Sequence, residues 1–195
     1  SLANHHALSR RRPGFKSRRP HVTVYPVRED TLLVKENLKK QDLTDLNFLE
    51  VGVGNAEISV TAANKNADVT AIDINPEAVE YAMQRFEEVN VHAEVFKSDL
   101  FEEVEENFDF IVFNPPYLKG RDDIGDEKMW RGGDTGLEVP ERFLEEVSEY
   151  LAVGGRAWIV LSSQTDYEKL VETFDLVEVD REKLWFETVF LFEFE

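Results

Sequence analysis

The 195-residue sequence contains no cysteine, which excludes disulfide scaffolds, thiolate metal sites and cysteine nucleophiles together. Its four histidines never fall at a zinc-ligand spacing, so we expect no metal site. No apolar run approaches the roughly 20 residues that a membrane-spanning helix needs. No apolar stretch follows the basic N-terminus to form a secretory signal. These absences predict a soluble, cytoplasmic protein with no membrane partner.

Basic residues are also scarce, with 22 Lys and Arg against 40 Asp and Glu and a formal net charge of −18. Six of the basic residues lie within the first 20, which contain no acid, so the remainder is more acidic still. Nucleic-acid binding usually relies on a basic face, which makes such a partner unfavoured. A salty cytoplasm produces the same acidic composition because salt screens the charge. The composition therefore also favours a halophilic source.

The chain divides into a short basic segment and one larger unit. Residues 1–21 are rich in Arg, Ser and Pro and show no hydrophobic period, which predicts a disordered basic tail. A solvated extension and a binding arm both remain open for this tail. Residues 22–195, with enough apolar side chains for a core, are predicted to form a single domain.

Short apolar runs alternate with amphipathic segments along that domain. Strands are predicted at 48–51, 68–73, 91–96, 108–113 and 156–161, and two final runs at 176–180 and 185–194 can pair as a hairpin. Helices are predicted around Ile58 and at 30–39, 76–90, 138–151 and 165–174, with Asp30 capping the first and Gly154–Gly155 ending the fourth. This order predicts an α/β fold with a seven-stranded, mostly parallel sheet, one antiparallel strand and helices on both faces.

The first predicted strand leads through Glu50 into Gly52-Val53-Gly54 and then a helix. Such a turn lets the backbone approach a ligand closely, although a Gly-x-Gly turn can also be purely structural. Glu57 occupies the place of the third glycine of the dinucleotide fingerprint, which argues against NAD. An acid ahead of the glycines favours a cationic ligand over a pyrophosphate.

Further acids follow the next two strands. Asp73 lies 19 residues after Gly54, where a carboxylate accepts hydrogen bonds from a ribose diol. The sequence Asp-Ile-Asn-Pro would equally make Asp73 a helix cap or a turn residue. Asp99 and Leu100 after the third strand fit either a contact to an adenine edge or a plain helix cap. Because parallel strands end at one rim, Glu50, Asp73 and Asp99 are predicted to lie along it.

The fourth strand ends in Asn114-Pro115-Pro116-Tyr117. The two prolines fix an extended backbone, so that the Asn114 side-chain carbonyl and the Pro115 carbonyl can converge on one NH2 group. Accepting both hydrogens localises the nitrogen lone pair and aims it at an electrophile, and Tyr117 can stack on a planar amide or base. A simple strand-terminating turn is the alternative.

Together these residues resemble the class I S-adenosylmethionine-dependent methyltransferases that alkylate planar NH2 groups. More narrowly, the chain resembles the HemK-type glutamine methyltransferases of the short archaeal and eukaryotic branch. That resemblance rests on residues 24–31 (VYPVREDT), 73–78 (DINPEA) and 129–133 (MWRGG), and it extends over the 172 residues from Val24 onward. Only 23 residues precede Val24, where the bacterial branch carries a helical substrate-binding domain. Ala56 in place of a third glycine and Pro26-Val27-Arg28 in place of Glu-Pro-Ala depart from the family pattern.

The resemblance implies a Rossmann-like class I methyltransferase fold and S-adenosylmethionine as cofactor. Glu50, Gly52 and Gly54 would hold its methionine moiety, with Thr31 near the carboxylate. Asp73 would bind the ribose and Asp99 and Leu100 the adenine, with Ile74 and Asn114 completing the cofactor set. The methyl acceptor would meet Asn114, Pro115, Pro116 and Tyr117.

The implied substrate is the glutamine of the Gly-Gly-Gln loop in the class I translation termination factor. The implied partner is a small zinc-binding activator protein that forms a heterodimer along the sheet edge at residues 91–96. Three alternatives remain open on the residues alone. They are methylation of an adenine amino group on DNA or RNA, methylation of a protein lysine, and a cofactor-binding module without catalysis.

Overall fold

The computed structural model describes residues 27–115 and 136–195. The predicted tail and the first residues of the predicted domain lie outside these ranges. The elements are α1 (Glu29–Leu38), β1 (Asn47–Val51), α2 (Glu57–Ala63), β2 (Asp68–Asp73), α3 (Pro76–Glu88), β3 (Ala93–Lys97), β4 (Phe108–Phe113), α4 (Glu138–Glu146), a 3-10 turn (Val147–Glu149), β5 (Leu151–Ser162), α5 (Tyr167–Thr173), β6 (Val177–Lys183) and β7 (Thr188–Phe194).

The strands form one sheet in the order β3-β2-β1-β4-β5-β7-β6. The first five strands of the chain are parallel, and β7 runs antiparallel to both β5 and β6. The predicted seven-stranded sheet, its single antiparallel strand and the C-terminal hairpin are confirmed. Strand order reverses between β1 and β4, and in open α/β sheets a crevice opens at the carboxyl ends of the strands at such a point.

The central strands are buried on both faces, as their nearly continuous apolar runs predict. Phe110 and Trp158 pack with α1 and α2 on one face, their rings meeting edge to face at 4.8 Å between centroids. Ile111 and Ile159 point to the opposite face and pack with α4 and α5. Helix α3 covers β2 next to α2. Helices therefore lie on both faces of the sheet, as predicted.

The first helix begins one residue earlier than predicted, and Asp30 is not its cap. Arg28 occupies the N-cap position, where its carbonyl accepts from Leu32 N at 3.0 Å. Asp30 lies buried in the first turn, and its Oδ1 accepts from the neighbouring Thr31 N at 2.6 Å. Prediction from sequence placed the cap at Asp30 because residue type alone favours Asp at that position.

Gly154 and Gly155 lie inside β5 and do not end the fourth helix, which stops at Glu146. Phe108 pairs with Leu151 and Phe110 with Arg156, so β5 carries three residues more than β4 across this interval. Gly154 adopts φ +78°, and a Cβ on Gly155 would lie 2.8 Å from a backbone oxygen of β4. The glycine pair therefore forms a β-bulge, which needs both the positive φ and the close approach.

Three further predicted boundaries were wrong by three to five residues: β5 begins at Leu151 and not at 156, β6 continues to Lys183 and not 180, and the final strand begins at Thr188 and not at 185, so that Trp185 lies in the turn before it. Strands β2 and β4 match their predicted ranges, and β3 starts two residues later than predicted. No helix within the described ranges is long and apolar enough to cross a membrane. The same residues contain no group of His, Asp and Glu side chains that could hold a metal ion.

Candidate cofactor and acceptor site

A cavity of about 410 Å³ opens at the carboxyl ends of β1, β2, β3 and β4. It brings together the nine predicted cofactor residues, of which Asn114 is also a predicted acceptor residue, and the predicted acceptor residue Pro115, although the sequence spreads them over 85 positions. These are Thr31, Glu50, Gly52, Gly54, Asp73, Ile74, Asp99, Leu100, Asn114 and Pro115. The predicted acceptor residues Pro116 and Tyr117 lie outside the described residues, as does the segment 129–133.

The turn after β1 forms the floor of this cavity. Gly52 and Gly54 both adopt positive φ, of 73° and 44°. The backbone N–H groups of Gly52 and Val53 donate to the Ile72 carbonyl at 2.8 and 2.9 Å, which fastens the turn to β2. A Cβ added to Gly52 would lie 3.5 Å from the Phe113 ring. The glycines therefore leave bare backbone beside the cavity, where a ligand can approach closely.

Glu50 is a buried acid whose charge state depends on what fills the cavity. Its side chain is only 3% exposed, and Oε2 accepts hydrogen bonds from Ser59 N at 2.8 Å and from Ser59 Oγ. Burial, with a smaller contribution from the nearby carboxylates of Asp73 and Glu57, raises the pKa of Glu50 to about 8 against the effect of those hydrogen bonds. A cation in the cavity would stabilise the carboxylate. Glu50 is thus suited to an ammonium or sulfonium ligand.

Asp73 joins the glycine turn to the end of β2. Its Oδ2 accepts from Gly54 N at 3.1 Å and its Oδ1 from Asn75 N at 2.8 Å. Burial raises the pKa of Asp73, and these two backbone hydrogen bonds act in the opposite direction. The cap of α3 is Asn75, whose Oδ1 accepts from Glu77 N at 2.9 Å. Asp73 is therefore a turn residue and not the helix cap, and its carboxylate lines the cavity beside the glycine backbone.

The wall after β3 is shaped by a tight turn. Leu100 adopts φ +47°, and Ser98 Oγ donates to the Leu100 carbonyl at 2.7 Å. Asp99 Oδ1 lies 3.4 Å from Arg142 Nη1, which reaches across from α4. Arg142 also lines the cavity, and no sequence pattern predicted it because α4 meets this rim only through tertiary packing. Ser59, which donates to Glu50, was not predicted either, because it belongs to no recognisable motif.

Asn114 supplies an unused hydrogen-bond acceptor at the end of β4. Its Oδ1 is buried and accepts no hydrogen bond from the residues that the structure describes. A buried acceptor without a partner costs about 1–3 kcal/mol, and such groups in folded proteins call for an explanation. An N–H donor that entered the cavity at this point would recover that cost.

The chain matches known methyltransferases in sequence. Residues 28–188 match the family described as methyltransferase small domain. A Methanocaldococcus jannaschii protein, named provisionally as a protein N5-glutamine methyltransferase, is 39% identical over 77% of this chain and 78% of that protein. Human methyltransferase HEMK2 is 30% identical over 82% of this chain and 81% of that protein. The release factor glutamine methyltransferase of Streptococcus pneumoniae is 31% identical, and the match covers 48% of its length.

Solved structures share the architecture. A chain of the E. cuniculi Mtq2–Trm112 complex, described as responsible for methylation of the eRF1 translation termination factor, superposes with a TM-score of 0.72 at 22% identity, covering 88% of this chain and 98% of that one. The T. thermophilus 16S rRNA N2 G1207 methyltransferase, solved with AdoMet and guanosine, gives 0.68 at 23% identity, covering 89% of this chain and 45% of that one. The predicted Rossmann-like class I methyltransferase fold is therefore confirmed.

The cavity also fits the cofactor that this family uses. Glu50 suits a cationic amino or sulfonium group, and Asp73 offers a carboxylate for hydroxyl donors beside exposed glycine backbone. Asn114 adds a buried acceptor that no described residue fills. On these grounds and the sequence matches, the chain belongs to the methyltransferase small domain family and is an S-adenosylmethionine-dependent methyltransferase of the HemK type.

Proposed function

We propose that this enzyme methylates the side-chain amide nitrogen of the glutamine in the Gly-Gly-Gln motif of a class I translation termination factor. The observation that carries the proposal is the buried Asn114 Oδ1, which lacks a hydrogen-bond donor among the described residues. A glutamine amide has two N–H hydrogens to give and can satisfy this oxygen. The names of the relatives and the description of the Mtq2–Trm112 complex point to the same substrate.

The cofactor-binding roles follow the chemistry of each side chain. Glu50 would hold the cationic methionine end, with the backbone of Gly52 and Gly54 beneath it and Thr31 near the carboxylate. Asp73 would accept from the ribose hydroxyls, while Asp99, Leu100 and Ile74 enclose the adenine. When bound, the cofactor supplies a methyl group on a positively charged sulfur. Transfer of the methyl group to the amide nitrogen would leave a neutral thioether, and one N–H proton of the amide would be released to solvent.

The acceptor residues would make a poor nucleophile competent. An amide nitrogen shares its lone pair with the adjacent carbonyl, so it attacks weakly unless that pair is localised. Asn114 Oδ1 and the Pro115 carbonyl would each accept one N–H and hold the lone pair toward the methyl group. We propose that Pro116 stiffens this backbone and that Tyr117 stacks on the amide plane. Catalysis here is mainly positioning, in which an error of 1 Å can cost about 100-fold in rate.

We also propose that a small zinc-binding protein binds along β3. Among the strands that the structure describes, β3 forms one edge of the sheet and pairs only with β2, and its side chains Val95 and Phe96 are half-buried. On the other outer strand of the described sheet, β6, acids and bases alternate from Asp180 to Lys183, a pattern that discourages strand addition. Because the described residues hold no metal cluster, the zinc ligands would belong to the partner.

The test is transfer of a labelled methyl group in high salt, with and without the partner. The acceptors are the termination factor, its variant with Ala in place of the motif glutamine, a lysine-containing peptide and an adenine-containing oligonucleotide. We expect label on the unaltered factor alone. Label on the oligonucleotide would identify an adenine methyltransferase, and label on the factor variant or the peptide would point to lysine.

An asparagine pair separates catalysis from binding. Asn114→Ala should lower turnover on the termination factor by at least about 100-fold, whereas calorimetry should show retained cofactor affinity. The matched control is Asn64→Ala, an exposed residue that follows α2 outside the cavity, which should leave both measurements unchanged. Full turnover by Asn114→Ala would refute the proposal that this oxygen aligns the lone pair of the acceptor nitrogen.

A further inference from the structure

The turn between β6 and β7 presents two large aromatic side chains to solvent. Trp185 is 103% exposed and Phe186 is 75% exposed. Among the residues that the structure describes, the other large hydrophobic side chains that are exposed are all aliphatic. Burial of a large aromatic side chain stabilises a fold, and neither ring contributes in this way here.

This aromatic tip, Trp185–Phe186, is held in a defined position. Leu184 N donates to the Glu187 carbonyl at 2.8 Å and closes the turn. Thr188 N donates to Ser163 Oγ at 2.8 Å, and Ser163 N donates to the Thr188 carbonyl at 2.9 Å. Ser162 Oγ also donates to Glu187 Oε2 at 2.6 Å. The tip is therefore anchored to the end of β5, so little backbone entropy is lost when a partner binds it.

The anchoring places the aromatic tip on the same rim as the cavity. β5 is the direct neighbour of β4, which ends at Asn114, and antiparallel β7 begins at this rim. At about 4.8 Å per strand, β7 and β6 lie roughly 10 and 14 Å along the rim from β4. A docked protein covers about 800 Å² of its partner, which corresponds to a disc of about 16 Å radius. A protein that inserts a side chain at Asn114 can therefore reach the tip within an interface of ordinary size.

We infer that Trp185 and Phe186 form a docking contact for the protein substrate, meeting an apolar patch beside its acceptor loop. The inference rests on the proposed function, because only a macromolecular acceptor reaches from the cavity to the tip. Trp and Phe are both enriched at the centres of protein interfaces, and Trp is among the residue types that contribute most of the binding energy there. A nucleic-acid occupant is disfavoured by the excess of acidic residues in the chain, 40 against 22 basic ones.

The experiment compares the double variant Trp185→Ala/Phe186→Ala with the unaltered chain, using the intact termination factor and the binding partner. The control is Val153→Ala, which removes an equally exposed hydrophobic side chain (108%) from the amino-terminal part of β5. We expect the KM for the factor to rise at least tenfold in the double variant. The turnover at saturating factor, the cofactor Kd and the thermal midpoint should stay unchanged, and Val153→Ala should behave as the unaltered chain.

Three results would overturn the inference while leaving the proposed function intact. The first is an unchanged KM, and the second is a loss of cofactor affinity as large as the rise in KM. The third is a change in the sedimentation of the double variant, which would show that the aromatic tip contacts another copy of this chain. Failure of the unaltered chain to methylate the factor would reject the proposed function itself and the inference with it. The two failures are therefore distinguishable in one assay series.

Discussion

Replacing Glu50 by glutamine removes one titratable group from the lining of the cavity and changes the shape of the side chain little. Glutamine has nearly the same shape and keeps an oxygen that can accept from Ser59 N, which donates to Glu50 at 2.8 Å. The variant cannot ionise. Burial of Glu50 raises its pKa from an ordinary 4.5 to about 8, so the substitution isolates the consequences of that shift.

The direction of the stability effect follows from proton binding. Between pH 4.5 and about 8 the folded protein retains a proton on Glu50 that the unfolded chain has lost. The free energy of unfolding therefore falls as pH rises through this window, and the contribution is fully present only below it. Between about pH 5.5 and 8 the expected loss is about 3 kcal/mol for the cofactor-free protein. Glu50→Gln should not show this loss.

Cofactor affinity should change in the opposite direction. A cationic ligand needs Glu50 as a carboxylate, so binding near neutral pH releases a proton. The affinity of the unaltered chain should rise about 50-fold between about pH 6 and 8 and then level off. The amino group of the cofactor titrates in both proteins alike. The difference in the pH dependence of cofactor affinity between the unaltered chain and Glu50→Gln therefore arises from the carboxyl group alone.

Urea denaturation across this pH range measures the first effect. Calorimetric titration of S-adenosylmethionine in two buffers of different ionisation enthalpy measures the released proton. Parallel stability curves for the two proteins between about pH 5.5 and 8 would refute the argument that burial dominates the pKa of Glu50. If the difference in cofactor affinity between the two proteins did not vary with pH, the carboxyl group would not lose a proton when the cationic ligand binds.

Three further substitutions test the site and its supports. Asp73→Ala should weaken cofactor affinity by about 10–100-fold in calorimetry while turnover at saturation changes less. Gly155→Ala should lower the free energy of unfolding by about 2 kcal/mol in urea denaturation, because its Cβ would lie 2.8 Å from a β4 carbonyl. Glu57→Gln should cost about 1 kcal/mol, since Glu57 pairs with Lys35 Nζ at 2.6 Å and Arg85 Nη2 at 2.9 Å. That loss should shrink in high salt.

Local sequence patterns were enough to predict the elements with strong short-range signals. A nearly continuous apolar run located β4 to the residue, a short apolar segment bounded by Asp68 and Asp73 located β2, and proline at the first turn located the start of α3. The acids at successive strand ends and the Asn-Pro-Pro-Tyr run identified the rim that carries the chemistry. These predictions succeeded because hydrophobic period, capping chemistry and motif spacing depend on neighbours a few residues apart.

Features that depend on contacts between distant residues could not be predicted from local patterns and became visible only in the folded structure. Gly154–Gly155 looked like a helix end, yet it is a bulge whose cause is the approach of β4. Arg142 meets Asp99 across 43 positions, and Trp185 comes to the cavity rim only because β7 runs antiparallel beside β5. The raised pKa of Glu50 belongs to this group as well. Burial and proximity are properties of the packed chain, and no local pattern of residues encodes them.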